Sequence, residues 1–358
     1  GDGGIYLLED RVRLVHGAGG VFMQEFIDRF ILNYFRGSGF EVPLEALDDS
    51  AVVDGVAFTS DSHTVRPLFF PGGDIGSLAV AGTVNDLAVL GARPKALSCA
   101  LLIEEGFPFS DLERILSSMR DTCRIAGVHV VTGDTKVLEG GAVDGLIVNT
   151  SGVGFRSPFL EENFRVVEES RGVKVEKRWL LDSNLRAGDK LIVSGTIGDH
   201  GMALMAYREG YGFGAKLESD VKPLNRVVED LLKVGGVVAM KDPTRGGLAA
   251  ALNEWSRKSG IGLELDESSI PIGEGVKTAC EMLGIDPLEV GNEGKLLVAV
   301  VPEKAEEILE ELRSTPEGRD AAIIGEAVDT FKGVVLRTGV KGRRLVPPPI
   351  GDPIPRIC

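Results

Sequence analysis

Residues 74–88 have the sequence DIGSLAVAGTVNDLA, which predicts a buried helix interrupted by two polar side chains. Asp74 is a residue type that caps helix N-termini. Five apolar residues fall largely on one face of this helix: Ile75, Leu78, Ala79, Leu87 and Ala88. Asn85 and Asp86 are costly to bury here unless they are paired or bind a metal ion. The stretch therefore predicts both a core helix and a ligand site.

Strand and helix patterns alternate on both sides of this helix. Strands are predicted over 51–59, as a hairpin with an Asp54-Gly55 turn, and over 96–103, 128–132 and 145–152. The sequence Ser110-Asp111-Leu112-Glu113 has the pattern of a capping box and predicts a helix to about Ala126. The polar stretch 161–178 is interpreted as a linker or an irregular hairpin.

A second half begins near Asp189, where the short strand 191–193 precedes a glycine-rich turn and a helix. Helices are predicted near 224–234, 246–258, 273–283 and 303–313, and strands near 261–265, 295–301 and 333–337. Because helices and strands alternate in both halves, the predicted fold class is α/β, or α+β layers.

The composition limits the possible classes of protein. A chain of 358 residues is long enough for two domains. Its net charge of −15 argues against nucleic acid and anionic membranes as partners, and no membrane span is visible. The four cysteines lie far apart without a C-x-x-C pair, which argues against a zinc site or a disulfide framework. We therefore expect a reducing, cytoplasmic location.

Acidic residues of the first half cluster at turn positions. Asp49 precedes the first strand, Asp61 ends the second, and Asp134 follows the strand 128–132. With Asp86, such carboxylates suit Mg²⁺ that bridges nucleotide phosphates. Alternatively, each of them is a cap or turn residue.

Two further residues are candidates for moving protons. Lys136 lies among these carboxylates and can neutralise a phosphate or carry a proton; alternatively it forms a salt bridge with Asp134 or Asp86. Glu293 lies in a loop before a strand and is a candidate base, or a residue that only supports its turn.

Two glycine-rich segments offer backbone amides to an anion. The loop His16-Gly17-Ala18-Gly19-Gly20 can close over phosphates, although no Walker sequence is present. The segment KDPTRGGL at 241–248 places polar side chains at a predicted helix start, with Asp242 alternatively serving as an N-cap.

The last thirteen residues contain five prolines and end on Cys358. Proline disfavours helix and central strand, so this tail is predicted to be an extended arm outside any core. A thiol at the tip of such an arm suits a group carrier. The alternative is a frayed terminus.

Nine motifs in order resemble the HypE family, the carbamoyl dehydratases of NiFe-hydrogenase maturation, within the superfamily of aminoimidazole ribonucleotide synthetase and selenophosphate synthetase. They are HGAGG (16–20), LDDSA (47–51), TSDSH (59–63), GTVNDLA (82–88), GDTK (133–136), GTIGDHG (195–201), KDPTRGGLA (241–249), NEG (292–294) and PRIC (355–358). The acidic motifs are shared by the superfamily, whereas PRIC and DPTRGG indicate HypE.

The resemblance implies a two-domain fold in which N-terminal strands of two subunits pair in a homodimer and the C-terminal domain is ferredoxin-like. The implied division is an N-terminal segment 1–45, an ATP-binding and dimer-forming domain 46–158, a C-terminal α/β domain 159–345 and a flexible tail 346–358.

The resemblance also implies a function, the ATP-dependent dehydration of a carbamoyl group on Cys358 to a thiocyanate. The carbamoyltransferase HypF loads Cys358, and the cyano group passes to iron held by a HypC–HypD complex. The implied metal ligands for Mg²⁺ are Asp49, Asp61, Asp86 and Asp134. The ATP-binding residues are these four with Asn85, His16, Gly19 and Gly20. Cys358, Lys136 and Glu293 are the implied catalytic residues.

Two alternatives remain at this stage. One is a small-molecule synthetase of the same superfamily, acting in selenophosphate or purine synthesis; the absence of a cysteine in residues 1–30 counts against the selenophosphate enzyme. The other is an idle nucleotide-binding scaffold whose tail only docks partners.

Overall fold

The computed structural model describes residues 11–37, 39–212, 216–340 and 342–358. Ten α-helices lie in these ranges: α1 (Gly20–Phe26), α2 (Leu32–Phe35), α3 (Ile75–Val89), α4 (Phe109–Ala126), α5 (Leu160–Arg171), α6 (Asp199–Glu209), α7 (Asn225–Val234), α8 (Gly247–Ser259), α9 (Glu274–Leu283) and α10 (Ala305–Ser314). A π-helical turn, Ile27–Ile31, joins α1 to α2.

The strands of the described residues form two main sheets and a short hairpin. They are β1 (Ala51–Val53), β2 (Val56–His63), β3 (Phe69–Phe70), β4 (Gly73–Asp74), β5 (Ala92–Glu104), β6 (His129–Leu138), β7 (Leu146–Arg156), β8 (Lys190–Val193), β9 (Val237–Lys241), β10 (Gly262–Asp266), β11 (Leu297–Val300), β12 (Ala322–Val328), β13 (Gly333–Arg337) and β14 (Arg343–Leu345).

The first sheet has the strand order β1-β2-β7-β5-β6 and is antiparallel except for the parallel pair β5–β6. Helix α3 packs against β2, β5 and β7, and α4 packs against α3. The pairing aligns Asp61 with Thr150, Thr150 with Cys99, and Cys99 with Gly133, so that one row crosses the sheet from β2 to β6.

The second sheet has the order β14-β13-β10-β12-β8-β11-β9. Four adjacent strands, β12-β8-β11-β9, pair antiparallel. Helix α7 lies in the chain between β8 and β9, and α10 lies between β11 and β12. This is the β-α-β-β-α-β arrangement of a ferredoxin-like domain.

Helix α3 joins the two domains. Its side chains Leu78, Val84 and Leu87 are fully buried, as an almost wholly apolar helix requires. Asn85 is also buried, and its amide donates to the carbonyl of Lys222 (3.1 Å) and accepts from the backbone amide of Leu224 (2.8 Å). Both ends of this amide are thus used by the second domain, and we do not propose Asn85 as a cofactor ligand.

Most regular elements were predictable from the sequence, but two interpretations are wrong. The hairpin at 51–59 and the helix capped by Asp74 are confirmed. The stretch 161–178 is not a linker, since 160–171 forms α5 with Leu160, Phe164 and Val167 buried on one face. The capping box at Ser110 is also wrong, because α4 begins at Phe109 and no side chain caps it.

No helix within the described ranges has both the length and the apolar character that crossing a bilayer would need. The first ten residues of the segment 1–45 lie outside the described residues.

The contribution of the Asp74 cap of α3 can be measured, with Ser110, which does not cap α4, as the control position. The Asp74 carboxylate accepts from the backbone amides of Gly76 (2.8 Å) and Ser77 (2.9 Å). We expect Asp74→Ala to lower the free energy of unfolding by about 1 kcal/mol, because helix amides lose their acceptor. The control Ser110→Ala should change it by less than about 0.5 kcal/mol. Urea unfolding followed by circular dichroism measures both, and equal losses would contradict the assignment of the caps.

Candidate active site

Three carboxylates from separate elements converge between the two domains. Asp49 precedes β1, Asp86 lies on α3 and Asp242 follows β9, and one oxygen of each lies within 4.8 Å of the others. Asp242 is buried, and Asp49 and Asp86 are partly buried. Removal from water raises the pKa of Asp86 well above its usual value, and the negative charges of Asp242, Asp61 and Asp49 raise it further. The cluster therefore favours a bound cation.

Asp61 lies beside this cluster rather than in it. It projects from β2, and its Oδ2 atom lies 3.5 Å from Nε2 of the buried His63. Its charge raises the pKa values of Asp86 and Asp242, so it belongs to the same acidic region.

A buried lysine holds Asp49 in place. Lys241 Nζ lies 3.2 Å from Asp49 Oδ1, 3.1 Å from Asp182 Oδ2 and 3.0 Å from Glu254 Oε2. Lys258 Nζ also contacts Asp182 Oδ2, at 2.5 Å. Such a network ties the strand β9 and helix α8 of the second domain to the turn before β1, and it compensates charges that would be costly to bury alone.

The tail does not project from the protein. Ile354 and Ile357 are 1% and 0% exposed, and both pack in the apolar cluster of α3, α4 and α9. The predicted arm outside any core is therefore wrong for this conformation, because its isoleucines remove apolar surface from water by docking. Cys358 is partly buried, and its main-chain oxygen accepts from Thr64 N (3.0 Å).

The Cys358 thiol faces charged groups from both domains. Burial raises the pKa of this thiol, Glu293, Asp61 and Asp352 raise it further, and Arg245 opposes them. The thiol therefore stays protonated until a stronger base or a chemical modification intervenes.

Glu293 is a buried acid that interacts electrostatically with both the Cys358 thiol and Asp242 of the carboxylate cluster. Its pKa is raised well above the usual value by burial, and then by Asp242, Asp61 and Asp220. Its backbone amide donates to Asp220 Oδ1 (3.0 Å), whereas Oε1 has no hydrogen-bond partner among the described residues. A buried carboxyl with a raised pKa and one oxygen free of hydrogen bonds to the described residues is a candidate for exchanging a proton with a bound group.

The early glycine-rich loop lies against the base of the tail. The amide of Val21 donates to the carbonyl of Pro349 (3.1 Å), and a Cβ atom on Gly20 would lie 2.1 Å from that same oxygen. Arg245 Nη1 donates to the carbonyl of Gly17 (2.8 Å). His16 is buried, accepts from the amide of Arg13 and stacks on Phe26, so its contacts are those of a structural residue.

Asp134 and Lys136 lie elsewhere on the described chain. Both are exposed on the edge strand β6 and pair with each other at 3.0 Å, which is one of the alternatives predicted for Lys136. Three strand spacings separate β6 from β2, which is roughly 14 Å. Within one chain this pair therefore lies well away from Asp61 on β2 and from Thr59, whose hydroxyl donates to Asp86 (3.1 Å).

A cavity of about 330 Å³ opens beside Asp49, the first carboxylate of the cluster. Asp49, Ser50, Phe58 and Thr59 line its first-domain side. A larger cleft of about 970 Å³ adjoins it, and the two share Gln24, Glu254 and Arg257. Together they leave room for an extended polar ligand next to Asp49.

Sequence reasoning missed three residues of this site. Asp242 was interpreted as a cap or turn residue, Lys241 was given no role, and Asp182 was not singled out. The unusual KDPTRGG segment was the available signal for the first two. Asp182 had none, because it lies in a short irregular stretch whose partners are distant in sequence.

Family models place this architecture in a known class. The N-terminal domain model of AIR synthase related proteins matches residues 47–155, and the C-terminal domain model of the same proteins matches residues 186–337. The two-domain fold with converging carboxylates is therefore that of an AIR synthase related protein.

Individual relatives define the family more narrowly. A putative hydrogenase expression/formation protein of Methanocaldococcus jannaschii is 48% identical over 97% of this chain and 100% of its own. The carbamoyl dehydratase HypE of Azotobacter vinelandii is 44% identical over 97% of both chains. The chain belongs to the HypE family of carbamoyl dehydratases.

Solved structures of HypE proteins are also similar to this chain. A HypE–HypF complex matches with 43% identity and a TM-score of 0.80, covering 91% of this chain and 99% of that one. The hydrogenase maturation protein HypE in complex with ATP matches with 40% identity and a TM-score of 0.77, covering 97% and 100%.

Proposed function

We propose that this protein uses ATP to dehydrate a carbamoyl group carried on its own Cys358, giving a thiocyanate that supplies cyanide ligands to the iron of NiFe-hydrogenase. The observation that carries the proposal is the docked tail, which holds Cys358 against Thr64 and exposes its thiol to the charges of Glu293, Asp61 and Arg245. Family membership supports the activity.

Asp49, Asp86 and Asp242 fit Mg²⁺, because three converging carboxylate oxygens are hard ligands whose mutual repulsion a divalent cation relieves. When bound, Mg²⁺ would neutralise phosphate charge during transfer. Asp61 remains a proposed neighbour of this site, and the adjoining cavity is the proposed place for ATP.

The chemistry requires that the carbamoyl oxygen leave as phosphate. That oxygen takes the terminal phosphoryl group of ATP, with release of ADP. The nitrogen then loses two protons, the carbon–oxygen bond breaks, and the sulfur-bound carbon and nitrogen form a triple bond. We propose that Glu293 accepts one of these protons and that Arg245 balances negative charge at the sulfur-bound group.

The proposed metal ligands predict a loss of turnover without unfolding. We expect Asp86→Asn to lower ATP hydrolysis by at least about a hundredfold, because metal and phosphate positioning dominates phosphoryl transfer. Stability should be preserved, since one of several repelling charges is removed. A coupled ADP-release assay at saturating Mg²⁺, with a thermal melt as control, tests this. Unchanged hydrolysis would contradict the assignment.

Glu293→Gln should separate ATP binding from dehydration. The variant is expected to bind ATP and accept the carbamoyl group normally, yet to form thiocyanate about 10²–10⁴-fold more slowly, because proton transfer is lost. The measurement is a single-turnover assay by mass spectrometry of the tail peptide. If Glu293 only supports its loop, the variant will dehydrate at the normal rate. A thermal melt of the Glu293→Gln protein beside the wild-type protein checks that the substitution has not unfolded the chain.

The proposed partners follow from the tail. HypF must reach Cys358 to load it, and a HypC–HypD complex must reach the same residue to take the cyano group. The docked tail must therefore leave its buried position at each transfer. The HypE–HypF structure supports the first partner. A cytoplasmic location and the domain division 46–158 and 159–345 stay predictions.

We also propose a homodimer through the first sheet. Strand β6 is exposed along nearly its whole length, including Val131 (67%) and Val137 (66%), and unprotected edge strands invite pairing. Pairing of two such sheets is our proposed route by which Asp134 and Lys136 act at the partner's site.

Light scattering tests the dimer. Val131→Lys is expected to give a monomer, because a charge would be buried in the paired sheets. The control is Val173→Lys, at an exposed valine outside the sheet, which should remain dimeric. A dimeric Val131→Lys protein, or a wild-type monomer, would contradict the proposal.

The alternative of a small-molecule synthetase is not favoured, because HypE relatives match almost the entire chain. The other alternative, a nucleotide-binding scaffold without catalytic activity, predicts that the protein does not hydrolyse ATP, whereas the proposed enzyme does.

A further inference from the structure

Each main-chain oxygen of residues 355–358 in the docked tail accepts a hydrogen bond from the body of the protein. Arg208 Nη1 donates to the oxygen of Pro355 (2.8 Å), and the amide of Arg66 donates to that of Arg356 (3.1 Å). His200 Nε2 lies 2.6 Å from the oxygen of Ile357. The amide and hydroxyl of Thr64 donate to the oxygen of Cys358, at 3.0 and 3.2 Å. Main-chain oxygens of four successive residues, 355–358, therefore accept hydrogen bonds from the body of the protein.

The tautomer of His200 is fixed by its neighbours. Because the Ile357 oxygen can only accept, Nε2 carries the proton, and Nδ1 accepts from the hydroxyl of Ser219 at 2.7 Å. His200 is fully buried, and its ring packs edge-on against Phe70. The docked tail therefore satisfies a buried donor, as buried polar groups in proteins generally are.

Two glycines make room for the tail's isoleucines. A Cβ atom on Gly291 would lie 2.3 Å from Cδ1 of Ile357, and one on Gly201 would lie 3.3 Å from Cδ1 of Ile354 and 2.6 Å from Val290. The body of the protein thus contacts two side chains of the tail, Ile354 and Ile357, in addition to the tail's backbone. We call the surface formed by Thr64, Arg66, His200, Arg208 and these two glycines the tail groove.

We propose that the tail groove is a peptide-binding site that does not require the covalent connection, so that a separate peptide ending in Ile-Pro-Arg-Ile-Cys binds in trans and presents its thiol to the same active site. The contacts above all lie within residues 354–358, whereas the linking segment has a separate contact, in which the amide of Val21 donates to the oxygen of Pro349 (3.1 Å). A short flexible linker gives an effective concentration on the order of 1 mM, so a tail that docks intramolecularly implies a peptide dissociation constant below about that value. The presentation of the thiol rests on the proposed function, whereas peptide binding does not.

The test uses the full chain with its own tail displaced. In the variant Ile354→Asp/Ile357→Asp, the two side chains that fill the groove become charged, so the tail should leave it. A fluorescein-labelled peptide of residues 350–358 is added, and its binding is followed by anisotropy. We expect saturable binding with a dissociation constant below about 1 mM, and at least about twofold weaker binding to the wild-type protein, whose own tail competes at an effective concentration on the order of 1 mM.

Two controls tie the binding to the groove. Adding Gly291→Ala to the variant should weaken peptide binding at least tenfold, because the methyl group occupies the Ile357 position. The peptide with Ile357→Asp should not compete. A circular dichroism melt checks that each protein is folded. No binding, equal binding to the wild-type protein and the variant, or insensitivity to both controls would overturn the proposal.

The chemical arm uses the S-carbamoylated peptide with ATP and Mg²⁺, and the loss of one water is followed by mass spectrometry. Carbamoylated wild-type protein is run in parallel. Conversion of the peptide supports presentation in trans. If the protein's own tail is converted and the bound peptide is not, presentation in trans is wrong. If neither is converted although the peptide binds, binding in trans stands and the proposed function fails.

Discussion

The structure depends on the mutual repulsion of three carboxylates held within 4.8 Å of one another at the domain interface. Like charges in a poorly hydrated interior are tolerated only beside counter-charges, which here come from Lys241 and, by our proposal, from a cation. Lys241 contacts Asp49 of the first domain as well as Asp182 and Glu254 of the second. The same ion pairs therefore compensate the buried charge and join the two domains. The position of β9 relative to α3 therefore fixes the site.

The sequence predicted most of the fold because its signals are local. Asp74 with the apolar residues of α3, and the Asp54-Gly55 hairpin, depend on neighbours within a few residues. Asp242 and Asp182 were missed because their roles come from contacts between distant segments. Asn85 shows the opposite case: its polarity in an apolar helix signalled a partner correctly, but the partner is the backbone of the second domain.

The tail shows why composition alone can mislead. Its prolines do prevent regular structure, yet Ile354 and Ile357 supply apolar surface and the intervening carbonyls supply acceptors, so the segment docks without forming a helix or a strand. Arg356 takes a left-handed conformation (φ 56°) in this segment, which the surrounding hydrogen bonds maintain. The prediction of an extended arm rested on the prolines alone and did not take the apolar side chains of Ile354 and Ile357 into account.

The attachment of the reacting group to Cys358 that we propose has a kinetic consequence. A reactant that is part of the catalyst never dilutes, so its conversion is first-order and independent of how much protein the cell contains. Each chain then holds at most one product group until another molecule removes it. The protein is in this sense a stoichiometric carrier as well as a catalyst, and the flux through it is limited by the number of chains and by the rate at which the tail meets its acceptors.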